Sequence, residues 1–156
     1  MKFRDSGINL WFIFALFLIV YFKFNILIQS KARSIDLLKE EEEEFLDLII
    51  DAIQDIKGKN IVQIDLRHLQ DAPTRFFVIC EGESSTQIKA IANNVARRVK
   101  EETNNRASHV EGQNGAKWVL VDFFDVVLHV FDKATRDYYD LEDLWSDGKF
   151  KEFQNI

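Results

Sequence analysis

Gly82-Glu83-Ser84-Ser85 is the one place in this chain where residue type and spacing suggest phosphate chemistry. In nucleotidyl transfer, a Gly-Ser turn opening a helix holds a triphosphate, and two carboxylates alternating on the next strand hold metal ions. Here the carboxylates are missing. No Asp-x-Asp or Glu-x-Glu follows at that spacing, and the helix carries Asn93 and Asn94 instead. Asp122 and Asp125 are separated by a turn and do not face one way on a strand. His129 alternates with Val127 and Phe131 on one strand face, which suits a partly buried histidine better than a general base. Cys80, inside FFVIC, reads as a small buried hydrophobe, and its being the only cysteine excludes an internal disulfide. The scattered His68, His109 and His129 show no metal-ligand spacing. A P-loop, a dinucleotide fingerprint and a nucleophile elbow are all absent. The expectation is a protein that is not an enzyme and needs no metal or cofactor.

What remains is recognition. Trp118 to Phe131 reads WVLVDFFDVVLHVF, two apolar strands joined by an acidic turn, and Thr135 to Trp145 reads TRDYYDLEDLW. Large aromatics kept beside charges are typical of binding surfaces. Trp118 opens its strand just after the turn-forming Gln113-Asn114-Gly115, so its indole can serve the core or reach a partner, and both readings stay open. Asp125 suits fixing the turn, with contact to a partner as the alternative.

The elements that position these residues follow from periodicity. Ile35 to Lys57 reads as a helix whose apolar face is Leu46, Ile49, Ile50 and Ile53, with Lys57 as its polar end and Gly58 as its C-terminal glycine. The run Glu40 to Glu44 would lie early in that helix, where negative charge suits the macrodipole. Asn60 to Leu66 and Phe76 to Cys80 read as strands. Ser84-x-x-Gln87 is a capping box opening a helix with the stripe Ile88, Ile91, Ala92, Val95 and Val99, ending near Thr103. Short helices over Thr135–Tyr139 and Leu141–Trp145 follow the last two strands. The order helix–strand–strand–helix–strand–strand predicts an α/β fold, a small mixed sheet flanked by helices.

The N-terminus differs from the rest. Ile8 to Phe22 is almost unbroken apolar sequence and resumes after Lys23 through Ile28, making residues 1–30 an extension. Three origins fit it. AT-rich codons make translated non-coding DNA look like this, although Met1 is the only methionine; a membrane anchor would suit the preceding Lys2 and Arg4; a cleaved signal would want a small-x-small site that does not follow. The first 28 residues carry a net charge of +2, leaving −8 of the total −6 on the remainder. An acidic domain repels phosphate backbones, which argues against nucleic acid as the main source of affinity and favours a basic protein partner.

IVQIDLR, RFFVICEGESSTQIKAIA, HVEG, KWVLVDFFDVVLHVF and TRDYYDLEDLWSD stand in the same order and spacing as in the ribosomal silencing factor (RsfS/Iojap) family, which the chain resembles over roughly Ile35 to Gly148. Residues 149–156 would then be a C-terminal tail. The resemblance implies a nucleotidyltransferase-like fold without the catalytic acids. It implies binding to the large ribosomal subunit through ribosomal protein number fourteen at the intersubunit face, blocking small-subunit joining and damping translation under nutrient limitation. Organellar relatives assist large-subunit assembly, the alternative role. Carried over by motif, the partner surface comprises Trp118, Asp125, Val127, His129, Phe131, Arg136 and Tyr139. A cytoplasmic location follows, with a membrane tether only through Ile8 to Ile28. Two departures stand out: Arg75-Phe76 where the family commonly has Asp-Tyr, and Phe123-Phe124 where Tyr or Gly is common in the acidic turn.

Overall fold

The computed structural model describes residues 10–155, with side chains from residue 21 onward. The chain divides into two compact units, Met1–Glu43 and Glu44–Ile156. Helix α1 (Leu10–Asp55) runs from the first into the second. The predicted start at Ile35 is therefore too late. The Glu40–Glu44 run lies far inside the helix, whose first turn holds no acid, so the expected macrodipole benefit does not apply.

In the second unit, β1 (Lys59–Asp65), β2 (Phe76–Glu81), α2 (Ser85–Thr103), β3 (His109–Glu111), β4 (Trp118–Asp122), β5 (Val126–Phe131), α3 (Lys133–Tyr139), α4 (Leu141–Leu144) and β6 (Lys149–Glu152) follow in order. They build a six-stranded mixed sheet ordered β3-β4-β5-β2-β1-β6, with β2 and β5 parallel at its centre. The α/β class and the flanking helices are as the sequence predicts. The strand count is not. β3 and β6 extend both edges, and Lys149–Glu152, expected in a tail, pairs antiparallel with β1.

One sheet face packs against the end of α1 and against α2. Leu46, Ile49, Ile50 and Ile53 meet Ile88, Ile91, Val95 and Val99 over Phe76, Val78, Val119, Leu128 and Val130, all buried. Each large aliphatic removed from water contributes about 1.5–3 kcal/mol, so this layer holds most of the stability. Local signals set the helix ends. Ser84 Oγ accepts from Gln87 N at 3.2 Å, while Gln87 Oε1 accepts from Glu83 N at 2.7 Å. The same Gln87 amide donates to the carbonyls of Ile56 and Lys57, satisfying the end of α1.

At that end the left-handed residue is Lys57 (φ 56°), not Gly58. Lys57 N donates to Gln54 O and Gly58 N to Ile53 O, the paired bonds of a Schellman motif. Gly58 is required for a different reason than a left-handed turn: a Cβ there would strike Ile53 Cγ2.

Candidate partner-binding surface

The opposite sheet face is lined by aromatic and aliphatic side chains. Strand alternation and register bring the predicted residues there together. Trp118 pairs with Phe131, Leu120 with His129 and Asp122 with Val127 across β4 and β5. Across the parallel pair, Val127 stands beside Phe77, His129 beside Ile79 and Phe131 beside Glu81. Trp118, Val127, His129 and Phe131 thus share one face. Leu120 belongs with them, and the strict alternation of WVLVD was the signal that could have identified it.

Trp118 is the hub. Its ring stacks on Phe131 with centroids 4.9 Å apart, leans on Tyr139 at 4.9 Å, and its Nε1 donates to His129 Nδ1 at 3.1 Å. It is only partly buried, so the indole serves the core and the surface together. His129 is buried, and desolvation lowers its pKa to about 4, which keeps the ring neutral at physiological pH. A neutral ring that accepts at Nδ1 carries its proton on Nε2.

The helical segment is placed by two caps. Asp132 Oδ1 accepts from Thr135 N at 2.7 Å and opens α3, and hydrogen bonding by the Thr135 side chain and then by its amide holds the Asp132 carboxyl below its ordinary pKa. Asp140, left-handed at φ 41°, closes α3 and opens α4. The bend sends Leu141 into the cluster beside Phe131 and Ile79 and leaves Tyr139 against Trp118. Tyr138 (81% exposed), Tyr139 (50%) and Leu144 (69%) face solvent.

Arg136 is placed inside. Its guanidinium donates to Glu142 at 2.5 and 2.8 Å, to Glu81 at 3.0 Å and to the Asn60 carbonyl at 2.8 Å, and the residue is buried. It ties α3 and α4 to β1 and β2, and so positions Tyr139. Of the carboxylates at the Gly82–Ser85 turn, Glu81 is thus committed to this arginine, and Glu83 is paired with Lys59. Among the described residues no group of three His, Cys, Asp or Glu could hold a metal ion. Cys80 is buried and its thiol is pushed up to about 12 by desolvation, which leaves it unreactive.

Asp125 lies on the exposed β4–β5 turn, where its carbonyl accepts from Phe76 N and its amide donates to Phe123 O. The neighbouring Phe123 turns inward against Phe45, while Phe124 is left-handed (φ 69°) and exposed. Asp122 and Thr74 hold that turn by hydrogen bonds to the Phe124 backbone.

Residues 39–156 match the family model described as "Ribosomal silencing factor during starvation". The chain is 37% identical to a ribosomal silencing factor of Halalkalibacterium halodurans over 73% of this chain and 96% of that protein. It is 42% identical to one from Chromobacterium violaceum over 70% and 88% respectively. It is also 30% identical to a mitochondrial Iojap-related protein of Arabidopsis thaliana over 67% of this chain and 61% of that one. A crystal structure of a Chromobacterium violaceum protein superposes with a TM-score of 0.63 at 41% identity, covering 67% of this chain and 85% of that one. One from Bacillus halodurans gives 0.61 at 37% identity, covering 71% and 99%. The domain that carries this aromatic face is thus shared with those proteins, and the chain belongs to the ribosomal silencing factor family.

Proposed function

We propose that the chain docks the Trp118 face and the α3–α4 segment on ribosomal protein number fourteen of the large subunit, and by occupying that site blocks small-subunit joining. Membership in the family supports the ribosomal partner. The observation that carries the choice of surface is the contact of partly buried Trp118 with half-exposed Tyr139, in a segment whose Asp137, Asp140 and Asp143 are exposed. A rigid aromatic centre with an acidic rim suits a basic ribosomal protein, because the aromatics supply affinity and the charges supply approach and register. Val127 and Leu120 extend the apolar centre, and Asp125 marks its far edge. His129, Phe131 and Arg136 act from behind by holding Trp118 and Tyr139 in place. A standard interface of about 1,600 Å² suffices for stable blocking. The mechanism is occupancy, and no bond is made or broken.

Sedimentation of the full chain with purified large subunits, before and after adding small subunits, tests this. Co-migration with large subunits and fewer joined ribosomes as occupancy rises is the expected result. Binding that leaves joining unchanged would replace this account with a role in large-subunit assembly. No binding to mature large subunits would refute the proposed docking.

A further inference from the structure

Residues 1–38, most of the first unit, lie outside the family match, which begins at residue 39. From Tyr21 to Ile28 the side chains of this unit are apolar on every side, interrupted only by Lys23 and Asn25. Tyr21, Phe22, Phe24, Ile26, Leu27 and Ile28 are 51–68% exposed. At about 3.6 residues per turn they point in every direction around the axis. An amphipathic helix meets a protein groove along one stripe, whereas a helix that is apolar all round requires a medium that surrounds it.

The polar residues fit the same medium. Asn25 donates to the Tyr21 carbonyl at 3.0 Å, Ser30 to Leu27 at 2.9 Å and Ser34 to Ser30 at 2.9 Å. Each returns its donor to the helix's own backbone, as hydrocarbon surroundings demand. Charge has one sign here: Lys23, Lys31 and Arg33 are present, and no acid occurs between Asp5 and Asp36. The acids begin at Asp36 and the Glu40–Glu44 block. Long basic side chains can extend from an apolar helix to anionic headgroups, while an acidic block is repelled from them.

We infer that the segment ending at Ile28 inserts into a lipid bilayer with anionic headgroups and tethers the silencing domain to a membrane surface. Among the described residues no helix is long and apolar enough to cross a membrane. In the sequence, the apolar run continues back from Tyr21 to Ile8, beyond the side chains described. The inference does not depend on which face of the domain meets the ribosome.

The test is flotation of the purified full chain, its N-terminus checked by mass spectrometry, with phosphatidylcholine vesicles containing or lacking phosphatidylglycerol. The intact chain is expected to float with the vesicles, and the double variant Phe22→Glu, Leu27→Glu to remain in solution with its domain folded. Replacing Lys23, Lys31 and Arg33 together by Gln is expected to weaken partitioning to the phosphatidylglycerol vesicles roughly a hundredfold. Three results would overturn the inference: a mature chain beginning after Ile28, an intact chain that ignores vesicles or self-associates without them, or flotation unaffected by Phe22→Glu, Leu27→Glu.

Discussion

The indole Nε1 of Trp118 donates to Nδ1 of His129 at 3.1 Å, joining β4 to β5 on the face opposite α1 and α2. The bond fixes the imidazole tautomer and the tilt of the indole together. A surface tryptophan with free rotation would lose side-chain entropy on docking, and this one has already lost much of it.

Trp118→Ala and Tyr139→Ala should each weaken binding to large subunits by about 1–3 kcal/mol, the range for aromatic anchors at an interface. Trp118 also packs on Phe131, so its variant needs a fold check by circular dichroism, whereas Tyr139 is half exposed and should leave stability nearly unchanged. Equal affinity of both folded variants and the parent would remove this surface from the account.

Arg136→Ala should act on stability. It leaves Glu81 and Glu142 without the cation that faces them in a largely buried site. Removing one member of a buried ion pair costs roughly 3–5 kcal/mol, and partial exposure of Glu142 places the expectation near the lower end. Urea denaturation measures it. A midpoint unchanged from the parent would mean that α3 is anchored by something other than this arginine.

Stability should fall as the pH drops from about 6.5 towards 4. The folded-state pKa of His129 is depressed to about 4 by burial, so within that window the unfolded chain takes up a proton that the folded chain refuses. The contribution is fully present above the unfolded pKa and is lost on acidification. Asp65 and Asp132, both with carboxyls held below their ordinary values by hydrogen bonds, lose theirs only at lower pH. His129→Gln keeps an acceptor for the indole and should flatten the profile between pH 5 and 6.5, as read by denaturant midpoints. A parent-like slope in that variant would assign the effect to another group.

Gly112→Ala should disturb Trp118 from a distance in sequence. Gly112 has φ +82°, and a Cβ there would collide with the Trp118 carbonyl oxygen. Alanine is disfavoured at positive φ by about 1 kcal/mol or more before the collision is counted. A lower melting temperature and a shifted tryptophan emission should appear together. An unmoved emission maximum would show that β4 starts independently of this turn.

Much of this was legible in the chain because the signals were local. The capping box at Ser84, the stripe from Ile88 to Val99 and the alternation in β4 and β5 are each set within one element. The edges were not legible. KFKE and HVE have no buried residue, so their strand character comes only from pairing with β1 and β4. Arg136, an arginine among aromatics and acids, read as a contact residue. Its burial depends on Glu81, 55 residues earlier, and on Asn60, 76 residues earlier, partners no local pattern displays. The Ile8 to Ile28 run precedes the residues that the family model matches, and its start lies outside the described residues.

The most direct test of the central claim is a subunit-joining titration with the parent chain and Trp118→Ala. Purified large and small subunits are mixed at increasing factor concentration, and joined ribosomes are resolved by sucrose-gradient sedimentation. The account predicts that the parent lowers the joined fraction in step with its occupancy of large subunits. It also predicts that the folded Trp118→Ala chain needs roughly ten- to a hundredfold more protein for the same effect. A joined fraction that stays constant while the parent saturates large subunits would contradict it.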